Sequence, residues 1–211
     1  MAFHWYSRAA SNNSVGAMYH LGRCYEVGIG TTPNSTKAFD CYKKADNGQN
    51  IEACISLGRC YENAFGTSKD FPKAFEAYHR AAERGSIEAR HQVARCYEYG
   101  IGTTKEPERA FQAYLTASTS NGGCKSTYDV GRCYENGIGT PKNLERAAKY
   151  YMDAAGRGST DAHYALGLMY GTGMGVERSQ TRAQEHFSSA AEHGHQGAKI
   201  RLYWSSMLRM F

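Results

Sequence analysis

The sequence is short of the features on which most protein chemistry depends. No CxxC or HxxxH pair occurs anywhere, which removes the commonest zinc frameworks. No window approaches the roughly 20 consecutive apolar residues of a membrane helix, so no stable membrane insertion is expected. Lys and Arg are scattered rather than gathered into blocks, and the net charge is only +5, a weak basis for binding nucleic acid. No basic segment followed by an apolar core opens the chain, so a cytoplasmic protein with reduced thiols is expected. Seven cysteines cannot all pair within one chain. The eight histidines (His4, His20, His79, His91, His163, His186, His193, His195) form no acid–base set with fixed spacing, and no catalytic residue, cofactor or metal is expected.

Glycine, by contrast, is abundant: 23 residues against only four prolines. Many glycines fall in a passage that recurs. LGRCYE starts at Leu21 and Leu57, VARCYE at Val93, VGRCYE at Val130 and LGLMYG at Leu166, at spacings of 36, 36, 37 and 36 residues. The same turn follows each time, as GIGT from Gly28, AFGT from Ala64, GIGT from Gly100 and Gly137, and GMGV from Gly173. A basic residue and an alanine come next: Lys37-Ala38, Lys73-Ala74, Arg109-Ala110, Arg146-Ala147 and Arg182-Ala183. Four residues past each alanine stands an aromatic: Tyr42, Tyr78, Tyr114, Tyr151 or Phe187. Repetition of this kind points to architecture, because an active site is normally built once.

Each unit reads as two helices. Ala17, Leu21 and Tyr25 share one helical face, and Ala38, Tyr42 and Ala45 share another. The glycine-rich turn closes the first helix, and Gly48, Gly85, Gly122, Gly158 and Gly194 are expected to stop the second. The four prolines, Pro33, Pro72, Pro107 and Pro141, are placed between the helices of a unit. Such a pair cannot bury its apolar face alone, so neighbours must stack. The expected fold is all-α, a right-handed α/α superhelix or solenoid of about 36-residue helix-turn-helix repeats. The expected organisation is one array over 1–211: a half repeat at 1–12, repeats at about 13–48, 49–85, 86–122, 123–158 and 159–194, and a terminal helix at 195–211. The single extra residue falls between Ser118 and Asn121. Gly22, Gly58, Ala94, Gly131 and Gly167 would let helix backbones approach closely.

A unit of the form A-x3-LG-x-x-Y-x-x-G-x-G-T, then KA-x3-Y-x-x-AA-x-x-G, resembles the Sel-1-like repeat, a relative of the tetratricopeptide repeat. Departures are Ala64 at the first turn glycine, Ala94 at the helix glycine and Ser118 in the double-alanine position. The resemblance implies a non-enzymatic adaptor or scaffold whose concave face holds a partner protein or peptide. RCYENGIGT is also similar to fungal and protist members, which implies the alternative of a non-catalytic activating subunit of a membrane enzyme such as a chitin synthase. A bacterial cysteine-rich branch of the family pairs a Cys within each repeat. Here the matching positions hold Asp46 and Ala82, so Cys54 lacks such a partner.

Cys24, Cys60, Cys96 and Cys133 share one repeat position, filled by Met169 in the fifth unit. Cys and Met interchange most naturally as core fillers; a thiol-dependent enzyme is the rival reading. The GIGTTPNSTK stretch lacks P-loop spacing and follows a helix, so a phosphate loop is set aside.

Arg23, Arg59, Arg95 and Arg132 occupy one position, with Glu26, Glu62, Glu98 and Glu135 three residues later. In the fifth unit Leu168 and Gly171 replace both. Either these are i, i+3 surface pairs, or the guanidinium groups form a ladder that binds peptide carboxylates or backbone carbonyls. The accompanying Glu residues argue against a nucleic-acid reader. Nearby positions vary between units, and Tyr19, Tyr128, Tyr164 and His91 are the further candidates for partner contact, with packing between repeats as their other role. At the ends, Ala2–Ala10 aligns with the interior of a second helix and 196–211 with a first. That predicts a piece of a longer array, or end-to-end self-association through Phe3, Trp5, Trp204, Leu208 and Phe211.

Overall fold

The computed structural model describes residues 1–119 and 123–207, with side chains described as far as Tyr203. Gly122 and part of the 118–121 stretch that holds the inserted residue lie outside the described residues, as do the terminal Trp204, Leu208 and Phe211 side chains. The described residues are all-α, as expected: twelve helices and no strand.

Two compact units divide the chain. Unit 1, Met1–Glu106, holds α1 (Ala2–Ser11), α2 (Val15–Val27), α3 (Ser35–Asn47), α4 (Ile51–Asn63), α5 (Phe71–Glu83) and α6 (Ile87–Tyr99). Unit 2, Pro107–Phe211, holds α7 (Pro107–Ser118), α8 (Cys124–Asn136), α9 (Leu144–Gly156), α10 (Thr160–Thr172), α11 (Gln180–Glu192) and α12 (Gln196–Met207). Within each unit every helix packs on the next in sequence. No helix among the described residues is long and apolar enough to cross a membrane.

Side-chain caps fix the helix starts. Ser14, Asn50, Ser86 and Ser159 accept from the N–H three residues on at the starts of α2, α4, α6 and α10. Asn34, Asp70, Asn143 and Ser179 do the same for α3, α5, α9 and α11. Each such cap contributes about 1 kcal/mol. Two prolines sit differently from expectation. Pro107 is the first residue of α7 and Pro72 the second of α5, where the missing N–H has no helical partner to lose. Gly48 caps the end of α3 as expected but keeps φ at −83°, and Gln49 takes the left-handed turn that follows.

The two glycines of each turn have different jobs. The first ends the first helix in the left-handed conformation, and Ala64 can hold that place with φ at 57°. The second combines positive φ with a close contact, with the Phe3 side chain at Gly30 and with backbone in the other four turns. A Cβ on Gly66 would lie 2.1 Å from the Ser35 carbonyl oxygen, and one on Gly102 2.0 Å from that of Phe71. In unit 2, Gly139 and Gly175 press likewise on Pro107 and Leu144. Each turn is thus clamped on the start of the preceding second helix, and alanine appears only at the first position.

The core of unit 1 gathers Ala38, Tyr42, Ala45, Ala74, Tyr78 and Ala81 with Cys24, Cys60 and Cys96. Unit 2 buries Ala147, Tyr151, Ala183 and Phe187 with Cys133 and Met169. The repeated Cys/Met position is core, as its composition implied. The helix glycines seat aromatic rings rather than bare backbones. An added Cβ would meet the Tyr42 ring at 2.6 Å from Gly22, Tyr78 at 2.4 Å from Gly58, Tyr151 at 2.7 Å from Gly131 and Phe187 at 2.5 Å from Gly167. Phe3, expected to be partly uncovered, packs edge-on against Tyr25 with ring centroids 5.4 Å apart, whereas Trp5 stays exposed.

Candidate partner-binding surface

The glycine-seated tyrosines carry their hydroxyls to the first helices. The Tyr42 hydroxyl donates to Glu26, Tyr78 to Glu62 at 2.8 Å and Tyr151 to Glu135 at 2.5 Å. Burial and the adjacent carboxylate raise all three phenol pKa values, so the hydroxyls remain donors. In these three repeats the recurring Glu accepts from the Tyr sixteen residues later. The signal lay in the sequence: where Gly171 removes the carboxylate, Phe187 removes the hydroxyl.

The four arginines diverge. Arg23 makes the expected i, i+3 pair with Glu26, at 3.6 Å and half-exposed. Its hydrogen bond with Tyr19, outweighing partial desolvation, raises its pKa. Arg59 does not take Glu62; it turns back to Ser56 Oγ at 3.2 Å. Arg95 crosses to the preceding repeat, donating to Glu62 at 2.5 Å while Gln92 Oε1 holds it at 2.7 Å. Arg132 bonds Asp129 of its own helix at 3.1 Å. The four arginines therefore do not form a uniform set of i, i+3 pairs with Glu: Arg23 keeps that pair, whereas Arg59, Arg95 and Arg132 each bond the residue three positions before them.

The aromatic candidates lie against other rings. Tyr19 is half-buried, 6.0 Å from the Tyr42 ring centroid and 5.3 Å from His20. Tyr128 lies 5.4 Å from Tyr151, and burial raises its pKa. Tyr164 stacks on His195 at 4.2 Å and meets Phe187 at 5.7 Å. His91 is half-buried on α6.

Two recesses of unit 1 border its first helices, the wider of about 520 Å³ between α1, α2 and α3. The narrower, a cleft of about 200 Å³ between α2 and α4, is lined by Glu26, Tyr42, Ser56, Arg59, Cys60, Asn63 and Phe65. A carboxylate stands on one wall and a guanidinium on the other. One repeat further, the equivalent groups, Glu62 and Arg95, have closed on each other.

The thiols fit poorly with nucleophilic chemistry. All seven are free, and five are buried. Desolvation pushes Cys60 and Cys96 up to about 12 and Cys54 up to about 11, far from the thiolate a nucleophile needs. Cys54 instead donates to the Ala77 carbonyl at 3.0 Å. Among the described residues no three His, Cys, Asp or Glu side chains converge on one metal position.

Comparison with known proteins follows this architecture. A Sel1 repeat model matches residues 1–14, 15–45, 51–86, 87–119, 124–159 and 160–195. A Sel1 repeat protein from Oxalobacter formigenes is similar at TM-score 0.82 and 29% identity, over 88% of this chain and 73% of that one. A protective antigen of uropathogenic Escherichia coli displaying an SLR fold gives TM-score 0.86 and 29% identity over 95% of this chain. The chain spans only 43% of that antigen. An immunity protein from Pseudomonas aeruginosa shares the fold at TM-score 0.60 and 21% identity, over 90% of this chain and 72% of that one. No curated protein matches the chain in sequence. With its glycine-clamped helix pairs and six matched segments, the chain belongs to the Sel1 repeat family, whose members commonly serve as scaffolds for protein–protein interaction.

Proposed function

We propose that the chain binds an extended segment of a partner protein along the first-helix face of unit 1, without doing chemistry on it. The observation that carries this reading is the open cleft between Glu26 and Arg59. The Arg59 guanidinium donates to Ser56 Oγ through one nitrogen, and its other N–H groups are available to an acceptor. Glu26 presents an acceptor across the same recess. An amide offers both an acceptor C=O and a donor N–H, so a peptide bond or an Asn or Gln carboxamide satisfies the two walls together. A free carboxylate would satisfy Arg59 but face Glu26 with like charge, which narrows the two ligand classes that the sequence left open. Tyr19, Arg23, His91 and Arg95 flank this cleft in sequence register and supply the rest of the contact surface.

The test is a display screen of proteome-derived peptides against the purified chain. Retained peptides should share an amide-bearing position and be lost with Arg59→Ala. They should be kept with Lys43→Ala, an exposed change on α3. Retention undiminished by Arg59→Ala would overturn the cleft as the binding point.

A further inference from the structure

Unit 2 brings two imidazoles together. His163 on α10 and His186 on α11 face each other with their Nδ1 atoms 3.0 Å apart. They sit on the two helices of one hairpin, so the framework rather than a loop sets their separation. The His186 ring lies nearly parallel to Tyr170, at 7° and 5.5 Å between centroids, which limits its rotation. Both rings are half-buried.

The pair arises from one repeat register. The positions 23 residues apart hold Met18 and Cys41, Cys54 and Ala77, Arg90 and Ala113, and Thr127 and Tyr150 in the other repeats. Only the fifth places two imidazoles there. A transition ion bound at 2.0–2.1 Å to each nitrogen holds two cis or tetrahedral nitrogens about 2.9–3.4 Å apart. The observed separation lies at the short end of that window, where the two rings share a hydrogen bond that an ion would replace.

We infer that His163 and His186 form a two-imidazole site for a borderline divalent transition ion such as Zn²⁺, with solvent completing its coordination. The neutral imidazole is the ligating form. Burial, reinforced by neighbouring charge, lowers the pKa of both rings. His193 acts on His163 in the same direction. Around His186, Arg182 also favours the neutral form and Glu185 opposes it.

Zn²⁺ should be titrated into the untagged, reduced full chain at neutral pH, followed by calorimetry and by the imidazole resonances. Expected is one equivalent bound, with shifts centred on His163 and His186 and competition by protons as pH falls. His163→Gln and His186→Gln should each abolish that binding while leaving thermal unfolding nearly unchanged. His193→Gln and His195→Gln should leave it in place. Unshifted His163 and His186 resonances, or binding that survives both of their variants, would overturn the site and leave a hydrogen-bonded histidine pair only.

Discussion

Two neighbouring registers of unit 1 carry the same motif residues and end in different states. Glu62 and Arg95 meet at 2.5 Å across adjacent repeats and seal their interface. Glu26 and Arg59, 36 residues earlier, face each other across a cleft of about 200 Å³. The motif does not distinguish them; the residue three positions before each Arg does. Gln92 is long enough to hold Arg95 out over the preceding helix, whereas buried Ser56 draws Arg59 back onto its own. A repeat frame keeps its fixed positions for packing, and single variable positions decide which inter-repeat gaps stay open.

The comparison can be broken most severely at the frame. Gly66→Ala would drive a Cβ into the Ser35 carbonyl at a positive-φ position, costing roughly 2–4 kcal/mol and displacing the α4 turn that borders the cleft. Denaturant unfolding should show the loss; Ala at the neighbouring turn position is already native in Ala64. Tyr78→Phe leaves the Glu62 carboxylate without its buried donor and should cost about 2 kcal/mol, with Arg95 retaining Glu62. A cost near zero would mean that the Tyr–Glu bond is not part of what holds the repeats in register.

A milder change tests the switch itself. Ser56→Gln gives the first register the side chain of the second and should let Arg59 reach Glu26. Stability should rise by a few tenths of a kcal/mol, as for a half-exposed ion pair. A crystal structure in which Arg59 still folds back would refute the steering role of this position. The smallest effect is kinetic. Cys60 lines the cleft while Cys96 lies behind the closed ion pair, and both thiols are held near 12. A small alkylating reagent at pH 8 should modify Cys60 faster than Cys96 in the native chain, with both far slower than in urea. Equal rates would mean that the cleft does not admit even a small probe.

Much of this frame was legible in the sequence. The repeat period, the turn glycines, the burial of the Cys/Met position and the Ala-Tyr face of the second helix all follow from side-chain spacing alone. The starts of α5 and α7 were less clear, because a proline marks either a loop or the first helical turn. The Tyr–Glu bonds were present as the joint change to Gly171 and Phe187, but Glu stands closer in sequence to Arg, and that proximity pointed first to the Arg–Glu pair, which is seen at Arg23–Glu26. The fates of Arg59 and Arg95 could not be read from the motif. They depend on whether a side chain at position 56 or 92 reaches outward, and that is set by how adjacent helices lie in space. The His163–His186 contact needed the same knowledge of how α10 and α11 face each other.

A crossed pair of variants tests the central claim most directly: Arg59→Ala and Arg95→Ala, each measured for thermal stability and for affinity toward peptides retained by the unmodified chain. Arg59→Ala should reduce affinity at least tenfold, about 1.4 kcal/mol, with an unchanged melting temperature. Arg95→Ala should lower the melting temperature by a few degrees, as expected for about 1 kcal/mol lost from an inter-repeat pair, and change affinity less. The opposite pattern, with binding dependent on Arg95 and stability on Arg59, would contradict the division between an open register that binds and a closed one that holds.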